Sequence, residues 1–213
     1  PQVLAALAAA GLDAAPTPHA PGGLRLVGKP SLHKLQAYAD GWVEVQDEGS
    51  QLLALLPEVR RNEVVVDFCA GAGGKTLAMG AAMRNTGRLY AFDTSGHRLE
   101  ALKPRLARSG LTNVHTMALD SELDPRLARL AGKADRVLVD APCSGLGTLR
   151  RSPDLKWRTK PADIQALADL QGRILASAAR LVKPGGRLVY ATCSLLAAEN
   201  EAVVQAFAVS HPG

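Results

Sequence analysis

A chain of 213 residues is long enough to bury a large core, so we expect one main domain or one domain with an extension. With 47% hydrophobic and 21% charged residues, the composition is ordinary for a soluble globular protein. The apolar runs are far shorter than the roughly 18 residues of a membrane span, which excludes a transmembrane helix. The formal net charge of +5 weakly favours a polyanionic partner such as a nucleic acid.

The alanine-rich opening lacks the positive leader of a signal peptide, so no export signal is predicted. Three widely spaced cysteines argue against a disulfide framework and against a zinc site of paired cysteines. We therefore expect a reducing compartment, the cytoplasm, and no metal. Because the first residue is not methionine, we also expect the chain to be a piece of a longer protein.

In chain order, residues 1–30 are rich in Ala, Pro and Gly, and residues 16–23 (PTPHAPGG) are typical of an irregular connection. From residue 63 onward, short apolar runs alternate with helical patterns. The predicted strands are residues 63–69, 88–93, 113–119, 135–142 and 187–193. The predicted helices lie within residues 47–59, 75–84, 95–110, 161–186 (where Pro184 and two glycines end the helix) and 198–209.

Apolar runs that alternate with helices in this way are typical of parallel strands buried on both faces of a sheet. We therefore predict an α/β fold, a Rossmann-like doubly wound and mostly parallel sheet. Residues 1–40 are predicted to form an N-terminal extension or linker, and residues 41–213 the main domain.

Ligands of such sheets bind beyond the carboxyl ends of the strands. The glycine-rich turn after the first predicted strand (CAGAGGK, residues 69–75) can bring backbone close to a ligand, although plain strand-to-helix packing is the alternative. About 20 residues after the turn, Asp93 stands where a carboxylate accepts from ribose hydroxyls, and Asp120 could bond the exocyclic amine of a base. An aspartate stands at the end of each of four successive strands: Asp67, Asp93, Asp120 and Asp140. Four acids around one crevice favour a nucleoside ligand. Because lysine-rich phosphate contacts are missing from the motifs, the nucleoside ligand indicated is S-adenosylmethionine.

Two of the three cysteines, Cys143 and Cys193, end predicted neighbouring strands, so both should point into one crevice beside Asp140. Each cysteine alone, Cys69 included, is typical of a small buried hydrophobe. As a pair, they could form a redox couple, a metal site, or a nucleophile with a helper. None of the five histidines lies in a motif, so nucleophilic chemistry fits best.

A basic tract with one aromatic residue follows Cys143 (LRRSPDLKWRTK, residues 149–160). Basic side chains bind phosphates and an aromatic ring can stack on an unpaired base, although a solvated loop with Trp157 in the core is the alternative. The candidate RNA-binding residues are Arg150, Arg151, Lys156, Trp157 and Arg158.

Three stretches, DFCAGAGGKT, DAPCSGLGTLRRSPDLKW and YATCSLLAAENEAVV, together resemble the cofactor loop, the Pro-Cys motif and the Thr-Cys-Ser motif of the RsmB/NOP2/NSUN family of RNA (cytosine-5) methyltransferases. The similarity is greatest to the bacterial ribosomal-RNA type and runs from about residue 41 to about residue 205. The family more often has proline where this chain has Ala72. The chain also stops before the last two strands of a complete fold, so we expect a C-terminally incomplete catalytic domain, preceded in residues 1–40 by part of an RNA-binding region.

The resemblance implies a class I S-adenosylmethionine-dependent enzyme that methylates carbon 5 of cytosine in RNA, expected to be ribosomal RNA, and acts as a monomer. It implies that Cys193 adds to carbon 6, that Cys143 helps to release the product, and that Asp140 hydrogen-bonds the base. Lys75 and nearby helix ends would supply the positive potential that a thiolate needs. The residues expected to bind the cofactor are Cys69, Ala70, Gly71, Ala72, Gly73, Gly74, Lys75, Asp93, Arg98, Asp120 and Asp140.

Three other functions stay open at this point. A small-molecule methyltransferase would explain the strand-end acids but neither the two cysteines nor the basic tract. A DNA cytosine methyltransferase would use the Pro-Cys thiol, Cys143, as its nucleophile. A non-catalytic RNA-binding or ribosome-assembly module would need none of Cys193, Cys143 and Asp140.

Overall fold

The computed structural model describes residues 1–212. Its N-terminal part begins with helix α1 and continues into a short antiparallel hairpin, whose irregular loop occupies most of the connection predicted for residues 16–23. A 3-10 helix (Leu32–Lys34) and a four-residue helix lead into the main domain. The bounds are α1 Gln2–Ala9, β1 Ala14–Pro16, β2 Leu24–Leu26 and α2 Gln36–Ala39.

This N-terminal part is fastened to the main domain by polar contacts. The backbone N–H groups of His19 and Ala20 donate to the carboxylate of Glu48 at 2.8 and 3.2 Å. The Arg108 guanidinium lies 3.9 Å from the centre of the Tyr38 ring, a cation–π distance. These contacts hold His19, Ala20 and Tyr38 against two helices of the main domain.

The main domain is an open sheet with helices on both faces. Five parallel strands stand in the order β5-β4-β3-β6-β7, and none of the helices within residues 1–212 is long and apolar enough to cross a membrane. The bounds are α3 Glu48–Leu55, β3 Val64–Asp67, α4 Gly74–Ala82, β4 Arg88–Asp93, α5 Gly96–Ser109, β5 Val114–Ala118, β6 Ala134–Asp140, α6 Leu155–Arg158, α7 Pro161–Ala179, β7 Val182–Ala191 and α8 Glu201–Ser210.

The strand order confirms the predicted doubly wound parallel sheet. The chain starts at the central strand β3, moves outward through β4 and β5, and returns to add β6 and β7 on the other side. The order therefore reverses between β3 and β6, the place where open parallel sheets bind their ligands.

Side chains of successive residues in the central strands point to opposite faces of the sheet. On one face Val65 packs with Met79 and Met83, while on the other Val66 packs with Ile174 of α7. Both valines are completely buried, and each such burial contributes about 1.5–3 kcal/mol. This rigid centre fixes the ends of β3, β4 and β6 relative to one another.

The boundary between α7 and β7 differs from the prediction. Helix α7 ends at Ala179, and β7 begins at Val182 rather than at residue 187. Residues 183–186 bulge out, because Val182 pairs with Ala134 while Arg187 pairs with Arg136. An outer strand tolerates the missing N–H of Pro184 at such a bulge, so this proline is part of the strand rather than the end of the helix.

Candidate active site

A cavity of about 630 Å³ opens where the carboxyl ends of β3, β4 and β6 meet. Its volume lies within the range of about 300–1,000 Å³ that is common for small-molecule sites. Most of the residues predicted to act together line it: Cys69, Ala70, Gly71, Ala72, Gly74, Lys75, Asp93, Arg98, Asp140, Cys143 and Cys193.

The glycine-rich turn is held open towards this cavity by Asp93 at the end of β4. The carboxylate accepts the N–H of Gly71 at 2.8 Å with one oxygen and that of Ser95 at 2.7 Å with the other. Gly71 has a φ of 56° and open space where a Cβ would stand. Each carboxylate oxygen keeps acceptor capacity, so Asp93 can shape the turn and still receive a ligand hydroxyl.

Gly73 is not among the residues that line the cavity, so its predicted role in cofactor binding stays a prediction. Its φ of 83° caps the start of α4, and a Cβ there would come within 2.1 Å of Leu102 in the buried face of α5. The close approach of two helices therefore requires a glycine at this position.

Asp120 also lies outside the cavity, although it was expected to contact a base. Its side chain is 94% exposed and stands 3.7 Å from Arg126. The buried Asp124 accepts the backbone N–H of Asp120 and turns the loop after β5. As a result, Leu119 and Glu122 are the residues of this loop that line the cavity.

Two buried polar atoms of cavity-lining residues lack a hydrogen-bond partner within residues 1–212, Oδ1 of Asp67 and Nε2 of Gln46. The other oxygen of Asp67 accepts from Thr76 at 2.7 Å, and burial raises the pKa of this carboxyl to about 7. Buried polar groups are rarely left unpaired, so the cavity offers an acceptor and a donor to a polar ligand. S-adenosylmethionine, with its amino, carboxylate and hydroxyl groups, fits these demands.

Lys75 in the first turn of α4 forms an ion pair with Asp140 at the end of β6. Both side chains are mostly buried, so the pair is only partly screened by solvent. A fixed positive and a fixed negative charge therefore stand side by side on the cavity wall.

The two predicted cysteines meet beside this ion pair. Pairing of Asp140 with Ala191 sets the register of β6 and β7, and the loops that follow bring the Sγ atoms of Cys143 and Cys193 to 3.1 Å. The hydrogen bond between the thiols lowers the pKa of Cys193 to about 7 and raises that of Cys143. Of the two thiols, Cys193 is therefore the one that ionises more readily.

The predicted contribution of Lys75 to the lowered Cys193 pKa is present, but it is not the largest. The Cys143 thiol is the largest cause of the lowered Cys193 pKa, while the Lys75 charge makes a smaller contribution that opposes the effect of Asp140. Cys69 lies deeper in the cavity wall, where burial raises its pKa and keeps the thiol protonated. The low-pKa thiol is therefore the exposed one, Cys193.

The basic tract follows on the rim of the site. Arg151 pairs with Asp47, which itself lines the cavity, and Arg158 pairs with Asp154 at 3.0 Å. Trp157 is 80% exposed, with the Lys156 ammonium 4.8 Å from its ring centre, so the alternative that placed this tryptophan in the core is wrong. An exposed tryptophan among cations is typical of a surface that stacks on bases.

The sequence did not single out the opposite wall of the cavity, which comes from the segment leading into α3. Asp47 caps that helix by accepting the N–H of Gly49 at 2.9 Å, and the polar residues around it face the ligand space. A capping aspartate before an amphipathic helix is visible in the sequence, but it does not reveal that the helix start borders a cavity. The lining residues of this wall are Val45, Gln46, Asp47 and Ser50.

The chain shares its Rossmann-like parallel sheet, with a glycine-rich turn at the switch point, with S-adenosylmethionine-dependent methyltransferases, and its family and structural relatives place it in that class. Residues 53–213 match the family model "16S rRNA methyltransferase RsmB/F". The chain belongs to this family, the RsmB/F methyltransferases.

Individual relatives agree with this assignment. A Synechocystis protein named "Probable ribosomal RNA small subunit methyltransferase B" is 43% identical, over 90% of this chain and 43% of that protein. A methyltransferase homolog of Pyrococcus horikoshii superposes with a TM-score of 0.84 at 33% identity, covering 99% of this chain and 65% of that one. NSun6 from Pyrococcus horikoshii, crystallised with the S-adenosylmethionine analogue SFG, gives a TM-score of 0.76 at 33% identity, covering 85% and 46%. The chain spans less than half the length of the curated relatives it matches.

Proposed function

We propose that this chain carries the catalytic site of an enzyme that methylates carbon 5 of cytosine in ribosomal RNA through a covalent cysteine adduct. The observation that carries the proposal is the 3.1 Å contact between the sulfurs of Cys193 and Cys143, which lowers the pKa of Cys193 and raises that of Cys143. Small-molecule methyl transfer needs no such pair. The residues of the proposed mechanism line one cavity, and we propose that the enzyme acts on ribosomal RNA as a monomer in the cytoplasm.

The residues around the glycine-rich turn are suited to hold S-adenosylmethionine. Asp93 would accept from the ribose hydroxyls, and Gly71 leaves backbone exposed for close approach. Asp67 and Gln46 would satisfy their unpartnered atoms on the polar end of the molecule. When bound, the cofactor supplies an electrophilic methyl group next to the cysteines.

Cys193 performs the step that activates the base. Carbon 5 of cytosine is a weak nucleophile, and addition of the Cys193 thiolate to carbon 6 converts the ring into an enamine whose carbon 5 can attack a methyl group. After methylation, carbon 5 must lose its proton so that the carbon 6–sulfur bond can break and regenerate both the aromatic ring and the thiolate.

Cys143 is suited to assist this release. In the free enzyme, the negative sulfur of Cys193 raises the pKa of Cys143. Once Cys193 is a neutral thioether, that cause disappears and the Cys143 pKa falls, although burial still raises it. Cys143 can then lose its proton to solvent, and its thiolate can take the proton from carbon 5 as the carbon 6–sulfur bond breaks.

The ion pair of Asp140 and Lys75 would bind the target base. Asp140 can accept a hydrogen bond from the amino group of cytosine, and one from ring nitrogen 3 once that atom carries a proton in the adduct, and Lys75 balances charge that develops on the ring. A cytosine can reach these groups only if it leaves its stack. The exposed Trp157 and the arginines on the rim would hold the surrounding RNA.

Methyl transfer assays with the full-length protein test this proposal. Labelled S-adenosylmethionine should transfer its methyl group to ribosomal RNA, and digestion should yield 5-methylcytidine. Transfer to DNA with equal efficiency would favour a DNA enzyme, and transfer only to small molecules would refute RNA as the substrate. Absence of any transfer, with RNA binding intact, would indicate an RNA-binding or assembly role.

A further inference from the structure

A buried carboxylate stands behind the two cysteines and has no part in the chemistry above. Glu199 lies in the 3-10 helix (Ala197–Glu199) between β7 and α8, and its side chain has no solvent exposure. An unpaired buried carboxylate would be costly, so its partners should be specific and complete.

Glu199 receives four hydrogen bonds, and three of them come from residues adjacent to the cysteines. Ser144, which follows Cys143, donates its backbone N–H at 2.8 Å and its hydroxyl at 2.5 Å. Ser194, which follows Cys193, donates its hydroxyl at 2.5 Å to Oε2, the oxygen that also accepts the Ser144 hydroxyl. Gln171 of α7 adds an N–H at 3.1 Å. One carboxylate therefore bridges the two loops that carry the sulfurs.

Hydrogen bonds stabilise the charged form of the Glu199 carboxylate. Burial alone would raise its pKa, but the hydrogen bonds from the two serines and from Gln171 outweigh burial and hold the pKa below its ordinary value. Hydrogen bonds to an ionised acceptor are roughly twice as strong as neutral ones. The bridge is thus a strong link at neutral pH.

A second contact joins the same loops close to the sulfurs. The N–H of Gly147 donates to the carbonyl of Cys193 at 2.9 Å, and a Cβ at residue 147 would lie 2.5 Å from that oxygen. The backbones of both loops therefore touch directly on one side, while the carboxylate fastens them on the other.

We propose that Glu199 is a positioning residue, whose carboxylate ties the loop after Cys143 to the loop after Cys193 and so holds the two sulfur atoms in contact. The contact itself is independent of the substrate. Its catalytic consequence rests on the proposed function, since only the adduct mechanism needs both thiols at one base.

The role requires a carboxylate rather than an amide of the same shape. In Glu199→Gln, an amide nitrogen near the two serine hydroxyls would reverse both hydrogen bonds, and because the serine oxygens lie only 3.2 Å apart, one hydroxyl could donate to the other but at least one proton would lose its acceptor. In the flipped orientation, the amide nitrogen would face the N–H groups of Ser144 and Gln171, two donors opposite a donor. Both orientations replace charged hydrogen bonds by weaker or missing ones, so the distance between the sulfurs should become more variable.

The test is the pH profile of Cys193 alkylation by iodoacetamide in the full-length protein, with the modified cysteine identified by peptide mass spectrometry. Wild type should show a midpoint near the pKa of about 7. Three charged or titratable groups face this thiol, Cys143, Asp140 and Lys75. Because Glu199→Gln loosens the donation from Cys143, its midpoint should rise by about one pH unit.

The matched control is Glu201→Gln, which removes an exposed carboxylate two residues further along the chain and should leave the midpoint unchanged. In a Cys143→Ala background, Glu199→Gln should cause no additional shift, because the donor is already gone. A folded Glu199→Gln variant with the wild-type midpoint, or an equal shift with and without Cys143, would overturn the proposal.

If Glu199→Gln does not fold, Ser194→Ala gives the same information, because it removes one link and leaves the carboxylate three donors. Its midpoint should also rise, and an unchanged midpoint would overturn the proposal. Alkylation needs no RNA, so this result stands even if the RNA assays fail. Where methylation is measurable, Glu199→Gln should lower turnover by roughly tenfold to a hundredfold without changing cofactor affinity.

Discussion

Replacing each cysteine in turn by alanine distinguishes the roles of the two thiols. The structure also predicts how fast the adduct should form in each variant and how that rate should depend on pH. Cys193→Ala removes the nucleophile and should abolish the covalent adduct. Cys143→Ala should permit addition but block release, so a protein–RNA adduct should accumulate. Removing Cys143 also removes the main cause of the lowered Cys193 pKa, so that pKa should rise from about 7 towards the ordinary 9.0.

This shift sets the rate at which the adduct forms. At about pH 7.5, the thiolate fraction of Cys193 falls from about 0.75 to about 0.03, so addition should slow by roughly 25-fold in Cys143→Ala. At about pH 9 the deficit should shrink to roughly twofold. An adduct that is weak at neutral pH and strong at alkaline pH is therefore the expected signature.

A denaturing gel with labelled RNA reads the adduct directly, because the bond is a thioether to a saturated ring carbon. Melting curves control for misfolding, since each substitution should cost no more than about 1–2 kcal/mol. Adduct trapped in Cys193→Ala and absent in Cys143→Ala would assign the nucleophile to Cys143. No adduct in either variant with RNA methylation intact in both would refute covalent catalysis.

Three further expectations follow from the site. Asp93→Asn should weaken S-adenosylmethionine binding at least tenfold, about 1.4 kcal/mol by calorimetry, and unchanged affinity would remove Asp93 from the cofactor site. Arg150→Ala should lower the slope of log RNA affinity against log salt by about 0.9, whereas Arg88→Ala, at the opposite end of the sheet, should not; equal slopes would make the tract a solvated loop. Gly73→Ala should destabilise the fold by about 2–4 kcal/mol in chemical denaturation, because of its φ of 83° and its collision with Leu102, and a neutral effect would contradict the packing role.

The sheet was predictable because its signal is local. Runs such as VVV (residues 64–66) have no polar position to place in water, so they indicate strands buried on both faces, and the structure confirms all five predicted strands. The bulge at Pro184 was not predictable in the same way. A proline followed by two glycines is typical of a helix end, and only pairing with β6 shows that the chain has already entered β7.

The positions of site residues were predictable where the end of a strand fixes them, and unpredictable where the conformation of a loop fixes them. Cys143, Cys193 and Asp140 converge because neighbouring parallel strands end at one edge of the sheet. Asp120 also follows a strand in the sequence, but its side chain points into solvent. Its backbone N–H donates to Asp124, which bends the loop after β5. The bridge made by Glu199 depends on its contact with Ser144, 55 residues earlier in the chain, and no local pattern reveals that contact.

Nucleoside mass spectrometry of ribosomal RNA is the most direct measurement of the proposed reaction. A strain lacking the gene should lose 5-methylcytidine at one position of its small-subunit RNA. The full-length gene should restore it, and the same gene carrying Cys193→Ala should not. An unchanged 5-methylcytidine content in the deletion strain, or restoration by Cys193→Ala, would contradict cytosine-5 methylation of ribosomal RNA by this thiol.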